Sequence, residues 1–350
     1  MSEKEAKKKR SSIAVPVLCS VGCILLIYLC TLIGISGIPF GDANKILINE
    51  LTGLELGGAD FDPGFVSIIW NVRLPRVILA FLAGAALSVC GGSFQGIFRN
   101  PMADPYILGV SSGAAFGAAI GIVTNIGTGL FGMGSVALLA FAGALITIFI
   151  VYTISRNGHR VPTANLLLSG VAIGQTISAF MSFVMIFNIQ NMNRILFWTL
   201  GSFNSSSWKQ VIVVLPFVVI GSVVILISSR ELDIMLLGED TALELGVNTE
   251  RLKRRILIAS SVVVAAVVSV SGVIGFVGLV VPHIVRLVTG PKHKVLLPFS
   301  LIFGGAFLVL CDTLARSFSS TELPVGVITA AFGGPFFVYL LRKSRKGGRI

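Results

Sequence analysis

Charge is what this sequence has least of. Only 12% of its 350 residues are charged, against 54% hydrophobic residues and a mean hydropathy of +0.92. A soluble domain carries about 25% charged residues, so no water-soluble chain of this length could cover so much apolar surface. The shortage excludes a soluble protein and leaves an integral membrane protein.

Catalytic chemistry is missing too. There is no G-x-x-x-x-G-K-[ST] loop and no Gly followed by Lys anywhere, so the chain does not hydrolyse nucleotide itself. Its three histidines, His159, His283 and His293, fall in or beside loops expected in the cytoplasm, which excludes an intramembrane hydrolase. The five cysteines, Cys19, Cys23, Cys30, Cys90 and Cys311, lie in apolar runs without zinc-type spacing. They read as small apolar side chains, with no metal, disulfide or cofactor implied.

Acids inside spans, the mark of proton and ion relays, reduce to Asp312, with Arg316 one turn later. Asp first in an i,i+4 pair is the favourable order, so these two read as a satisfied interfacial pair. An ion-coupled secondary carrier is thereby disfavoured, and nothing speaks for a non-transport scaffold beyond the lack of catalytic groups. If transport is energised, another chain supplies the energy.

What is present is a series of apolar runs between polar connections. Met1–Ser12 is a basic tail, and Ile13–Ile35 carries no charge. That run is too long for a signal core and ends without an A-x-A site; at about 1.5 Å per residue it crosses a hydrocarbon layer of about 30 Å. The acidic stretch Asp42–Ser67 lies outside the bilayer, and Leu74–Gly96 is a second span. Two more spans share the uncharged Pro105–Ser155, with their turn at Thr124–Gly134. Span five runs over Thr163–Phe187, and a polar stretch, Asn188–Gln210, leads to span six at Val211–Ser229. After the polar connection Arg230–Arg255 comes Ile256–Val285, readable as one long helix or two short ones broken at Ser271–Gly278. Val295–Leu310 and Val325–Leu341 follow, then a second basic tail.

Parity settles the ambiguous run. The positive-inside rule puts both basic tails in the cytoplasm, which requires an even number of spans and therefore two between Ile256 and Val285, ten in all. This topology places 21 Lys and Arg inside and 6 outside, so the net charge of +11 reflects membrane orientation. No clustered basic module of the kind that binds nucleic acid is visible.

Small residues recur at helical spacing, at Gly84, Ser88 and Gly92 and at Gly109, Gly113, Gly117 and Gly121, and predict a compact bundle packed through close backbone approach. Helix breakers gather at Arg99–Pro105 and Ser271–Gly278. Irregular backbone at membrane depth needs protein or a wet cavity to satisfy it, so each stretch marks either a translocation path or an interhelical turn. Gly238 and Gly246 bracket a short helix-forming stretch too small to fold alone, which rests on a partner protein or under this bundle.

Several motifs then coincide in order: Arg73-Leu-Pro-Arg76, Gly84-Ala-Ala-Leu, Gln95 before Arg99-Asn-Pro-Met-Ala-Asp-Pro105, and Leu108-Gly-Val-Ser-Ser-Gly-Ala114. Gly238-Glu-Asp with Leu245-Gly, Gly275-Phe-Val-Gly-Leu-Val-Val-Pro-His-Ile-Val-Arg286 and Glu322-Leu-Pro-Val-Gly-Val-Ile-Thr329 complete the set. From about Arg73 to Leu341 the sequence resembles the permease subunits of ABC importers for iron-siderophores, haem and cobalamin.

The resemblance implies an all-α membrane protein of the type II ABC importer permease fold, with about ten transmembrane helices and both termini cytoplasmic. Its organisation would be a cytoplasmic basic tail over 1–12, one permease domain over 13–341 with the coupling connection at 230–255, and a second basic tail over 342–350. The implied setting is the bacterial cell membrane. The implied partners are membrane lipid, a second permease copy or paralogue, two ATP-binding subunits below and an extracellular substrate-binding protein above.

By the same resemblance, Arg73, Arg76 and Arg316 match external arginines that pair with glutamates of the binding protein; the alternative is that they are snorkelling anchors. Asn100, Met102, Thr163 and Ala164 match cytoplasmic gate positions, although Ala164 lacks the hydroxyl often found there. Gly238, Glu239, Asp240, Ala242, Leu243, Leu245 and Gly246 match the coupling helix that seats in the ATPase. The expected cargo is an iron(III)-siderophore chelate, with haem or cobalamin on the same fold as alternatives.

Overall fold

The computed structural model describes residues 3–53, 61–125, 134–158, 160–317 and 322–346. Among them the chain is helical, and the β-type pairing is one isolated bridge between Asn157 and Arg160. In chain order the helices are α1 (Glu3–Leu32), α2 (Phe40–Thr52) and α3 (Pro63–Ser67), then a π-helical turn (Ile68–Arg73) that runs into α4 (Leu74–Ile97). A 3-10 turn (Pro105–Leu108) precedes α5 (Val110–Thr124), followed by α6 (Ser135–Ser155), α7 (Thr163–Phe187), α8 (Ile189–Thr199) and α9 (Trp208–Ile227). The rest are α10 (Ser229–Met235), α11 (Glu239–Glu244), α12 (Thr249–Ser271), α13 (Val277–Thr289), α14 (His293–Ser317) and α15 (Val325–Lys346).

Among the described residues, six helices are long and apolar enough to cross a membrane and four shorter ones are apolar: Pro16–Leu32, Val110–Thr124, Val277–Thr289 and Val325–Tyr339. They correspond one to one with the ten expected spans. Contacts at the helix ends fit the even count. Arg73, at the start of α4, reaches the carbonyl of Leu32 at the end of α1, and Arg76 reaches Asp312 near the end of α14. At the opposite end of α4, His293 at the start of α14 meets Asp233 of α10.

The bundle is built around α4, which packs against α1, α9, α12, α13 and α14. Its buried face carries Leu79, Ala80, Ala86, Val89 and Cys90, none with measurable exposure. Without a hydrophobic force between helices in lipid, backbone proximity does the packing. A Cβ on Gly84 would stand 2.1 Å from the carbonyl oxygen of Gly304, so α4 and α14 touch backbone to backbone.

Three connections differ from the sequence expectation. The acidic stretch before span two is largely helical: α2 turns Ala43, Ile46 and Leu47 onto Leu32, Ile69 and Leu74, a small apolar cluster beside the main core. The polar stretch before span six contains α8, whose only buried residue is Ile195. The amino-terminal tail is already helical from Glu3, continuous with the first span. In α2 and α8 polar residues mask a pattern in which a few apolar side chains meet a neighbour.

Span eight is only partly helical. The 13 residues of α13 rise about 20 Å at about 1.5 Å per residue, short of a hydrocarbon core of about 30 Å. Residues 272–276 cover the remainder as non-helical backbone. Phe276 holds a left-handed conformation there (φ 69°), which costs a non-glycine residue about 1–2 kcal/mol. Its ring packs against Gly333 of α15, where a Cβ would come within 2.5 Å.

Replacing Gly84 by Val is therefore expected to remove the folded, monodisperse fraction on size-exclusion chromatography, since overpacking of this kind costs about 1–3 kcal/mol or more. Gly22→Ala, at a position with nothing within 4 Å, should leave that fraction unchanged.

Candidate functional site

Four groups of residues carry the candidate chemistry, and α4 touches three of them. At its outer end lie Arg73, Arg76 and Arg316, all buried. Arg73 Nη1 donates to the carbonyl of Leu32 at 2.9 Å and Nη2 donates to the Ser36 hydroxyl. Arg316 Nη1 donates to the carbonyl of Ile33 at 2.8 Å and Nη2 to that of Cys30. These are last-turn carbonyls of α1, which have no intrahelical donor and attract cations.

Arg76 makes the strongest contacts of the three. Its Nε and Nη2 grip both oxygens of Asp312 at 2.9–3.1 Å, and its Nη1 meets Glu322 at 2.8 Å. The sequence reading needs correction in two respects. The three arginines are not snorkelling anchors: all are buried, and helix-end carbonyls and two carboxylates take most of their donors, with Arg316 Nε left without a hydrogen-bond partner among the described residues. Asp312 is fully buried, and its main partner is Arg76 across the bundle; Arg316 Nε stands 3.7 Å from it. The available signal was the coincidence of three outward arginines with one intramembrane acid.

Deeper along α4, the two helix-breaking stretches meet each other. Gly91 approaches Gly278 so closely that a Cβ would lie 1.8 Å from the Gly278 carbonyl oxygen, while Pro105 and Asp104 flank Gly278. In α13 the residue four positions after Gly278 is Pro282, which has no N–H to give that carbonyl. Gln95 supplies one: its Nε2 lies 3.4 Å from the Gly278 oxygen and 3.2 Å from that of Leu279. The two breaks thus pack against each other at Gly278, Asp104 and Pro105, while Arg99–Met102 of the first stay exposed and Ser271 and Gly272 of the second line a cavity.

At the cytoplasmic end the gate positions come from two loops. Asn100 Oδ1 accepts from the Met102 amide at 2.9 Å, which shapes the turn after α4 and leaves Met102 exposed. Thr163 opens α7 half-buried, and Ala164 beside it is exposed.

The short helix α11 lies below. Gly238 (φ 123°) and Gly246 (φ 85°) adopt backbone conformations that favour glycine at its two ends. Ala242 is buried, whereas Leu237, Leu243 and Leu245 are exposed on a polar face of the molecule, with Asp240 also exposed. Glu239 is held from behind: Lys253 Nζ, on a side chain 7% exposed, reaches Glu239 at 2.6 Å and Glu250 at 3.5 Å. Glu250 in turn accepts from the Val161 amide at 3.0 Å, two residues before Thr163. On the other side, Arg99 Nη1 lies 4.0 Å from where a side chain on Gly238 would begin. The stretch is therefore linked through Lys253 and Glu250 to the loop before Thr163, and it lies beside Arg99 of the loop that carries Asn100 and Met102. Sequence reasoning missed Lys253, whose charge was one among many in a polar connection.

Because Asp312 alone faces both Arg76 and Arg316, Asp312→Asn is expected to be the most destabilising change in the outer cluster, by about 3–5 kcal/mol. Glu322→Gln, at a side chain 28% exposed, should cost about 1 kcal/mol or less. Denaturant unfolding in detergent orders the two.

The chain matches the FecCD transport family over residues 22–343. It is 51% identical over 281 residues to the cobalamin import system permease protein BtuC of Halobacterium salinarum, covering 79% of this chain and 73% of that one. It is 41% identical over 286 residues to the hemin transport system permease protein HmuU of Yersinia pestis, covering 79% and 84%. A solved structure described as an inward-facing conformation of a metal-chelate type ABC transporter superposes with a TM-score of 0.79 at 30% identity, covering 94% of this chain and 99% of that one. The chain belongs to the FecCD transport family and is a multi-span membrane permease subunit of the ABC importer type, a transport component and not an enzyme.

Proposed function

We propose that this permease imports a metal chelate, an iron(III)-siderophore complex in the first instance, driven by ATP hydrolysed on two separate subunits and fed by an extracellular binding protein. The observation that carries the reading is the exposed apolar edge of Leu237, Leu243 and Leu245 on a short helix fixed to the bundle by Lys253. Exposed leucines on a polar face mark a protein contact, and this one is tied through Lys253 and Glu250 to the gate loop before Thr163 and lies beside Arg99 of the other. The identity to a cobalamin permease, 51%, favours cobalamin as the second reading.

In this mechanism α11 seats in a groove of the ATP-binding subunit. Displacement of α11 on ATP-driven closure pulls Lys253 and Glu250, and so the backbone at Val161, while Gly238 moves against Arg99. Asn100 and Met102 on one loop, and Thr163 and Ala164 on the other, then part or close at the cytoplasmic mouth. The energy enters as a difference in affinity of the two conformations for nucleotide. A second copy or paralogue packs along α7, of which only 11% is buried in the single chain. Arg73, Arg76 and Arg316 outnumber Asp312 and Glu322 by one charge, and this locally positive cluster at the outer end of α4 is where the acidic docking surface of the binding protein would seat.

The assembled complex in proteoliposomes tests the reading. Ferric siderophore or cobalamin, each offered with a binding protein that retains it, should accumulate only with ATP inside. Uptake that persists without the ATP-binding subunits would overturn it. Leu243→Asp with Leu245→Asp should abolish uptake while the ATP-binding subunits keep hydrolysing. Lys253→Met should lower uptake per ATP severalfold, with the complex still assembled.

A further inference from the structure

Along the seam of α6, α9 and α12 two cavities lie one below the other and share Ser269. The outer one, about 590 Å³, has a polar mouth with Arg194 of α8, Asn204 and Gln210. Arg194 is exposed and has no ion pair or hydrogen bond among the described residues. The oxygen Oε1 of Gln210 is buried and without a partner among the described residues. Glu322, the acid at this mouth, is already taken by Arg76.

The inner cavity, about 390 Å³, is apolar throughout. Leu138, Phe141, Val213 and Phe217 form a half-buried rim that opens sideways to the membrane, and Val214 and Ala266 close the back. The one hydroxyl there, on Ser269, donates to the Ala266 carbonyl at 2.8 Å and is satisfied. Phe141 and Phe217 stand side by side, ring centroids 5.7 Å apart. They lie about 9 to 14 Å below the outer ends of α6 and α9 at about 1.5 Å per residue, well inside the hydrocarbon.

We propose that this groove holds one glycerophospholipid of the outer leaflet. Its phosphate diester pairs with Arg194, a headgroup hydroxyl or ammonium donates to Gln210, and one acyl chain fills the inner cavity. The order of the two cavities is the argument. A cation at the outer surface followed by an apolar slot open to the bilayer repeats the order of head and chain in a lipid of that leaflet. A compact polar chelate matches only the outer half. The donor required at Gln210 selects phosphatidylglycerol or phosphatidylethanolamine over phosphatidylcholine, whose headgroup has none. This inference rests only on membrane embedding and does not depend on the cargo.

Native mass spectrometry of the full-length chain, delipidated in detergent and titrated with dioleoyl phosphatidylglycerol, phosphatidylethanolamine or phosphatidylcholine, tests it. Phosphatidylglycerol and phosphatidylethanolamine should be retained more tightly than phosphatidylcholine. Arg194→Gln should weaken phosphatidylglycerol about tenfold, the equivalent of about 1.4 kcal/mol. Val213→Trp, which fills the slot from its rim, should do the same, and sn-glycerol 3-phosphate should not bind. Equal retention by wild type and both variants would overturn the proposal. So would sn-glycerol 3-phosphate binding as tightly as the lipid, or reconstituted uptake lost in Arg194→Gln with lipid retention unchanged, which would assign the mouth to the cargo.

Discussion

Pro282 leaves the carbonyl of Gly278 without the amide that a continuous helix would bring to it, and at membrane depth water is not at hand to replace that amide. Gln95 does so from α4. Much of the inner architecture follows from that contact. Gln95 and Gly91 lie four residues apart on one face of α4, so Gly278 reaches the amide only because Gly91 has no side chain in the way. The same approach brings Asp104 and Pro105 against Gly278. Two stretches that look like independent breaks in the sequence are one junction.

The ends of the bundle obey the same rule with charged groups. The last turn of α1 offers carbonyls with no helical donors, and Arg73 and Arg316 provide them. Guanidinium groups suit this because each has several N–H donors in a fixed plane and stays charged. Three buried arginines repel one another, and Asp312 makes the arrangement tolerable. At the cytoplasmic end a buried lysine serves as a strut, fixing a helix of only six residues that could not stand alone. Rigidity there is a condition for force transmission: a coupling element that flexed against its own bundle would dissipate the displacement it receives.

The spans were legible because apolar length and the sidedness of Lys and Arg act over whole segments. Even the split of Ile256–Val285 into two crossings followed from parity, although hydropathy alone could not decide it. The motif residues Gln95, Asp104 and Gly278 were also visible as individual features. Their mutual contact was not, because residues 95 and 278 are joined by a bond across 183 positions and nothing local encodes it. Helices α2 and α8 escaped for a different reason. They lie outside the hydrocarbon, where polar residues may cover most of a helix and leave only Ile46, Leu47 or Ile195 to mark the packed side. The burial of the three arginines was hidden because charge in a sequence reads as exposure, and only the geometry of the α1 terminus reverses that reading.

The dependence of Gly278 on Gln95 has a historical consequence. As long as position 282 is proline, residue 95 cannot drift to an apolar side chain, however well the shape fits, because an acceptor would be stranded in hydrocarbon. Were position 282 to regain an ordinary amide, that constraint would lapse. Residue 95 should therefore become apolar only where position 282 is no longer proline, whereas position 282 is free to change first.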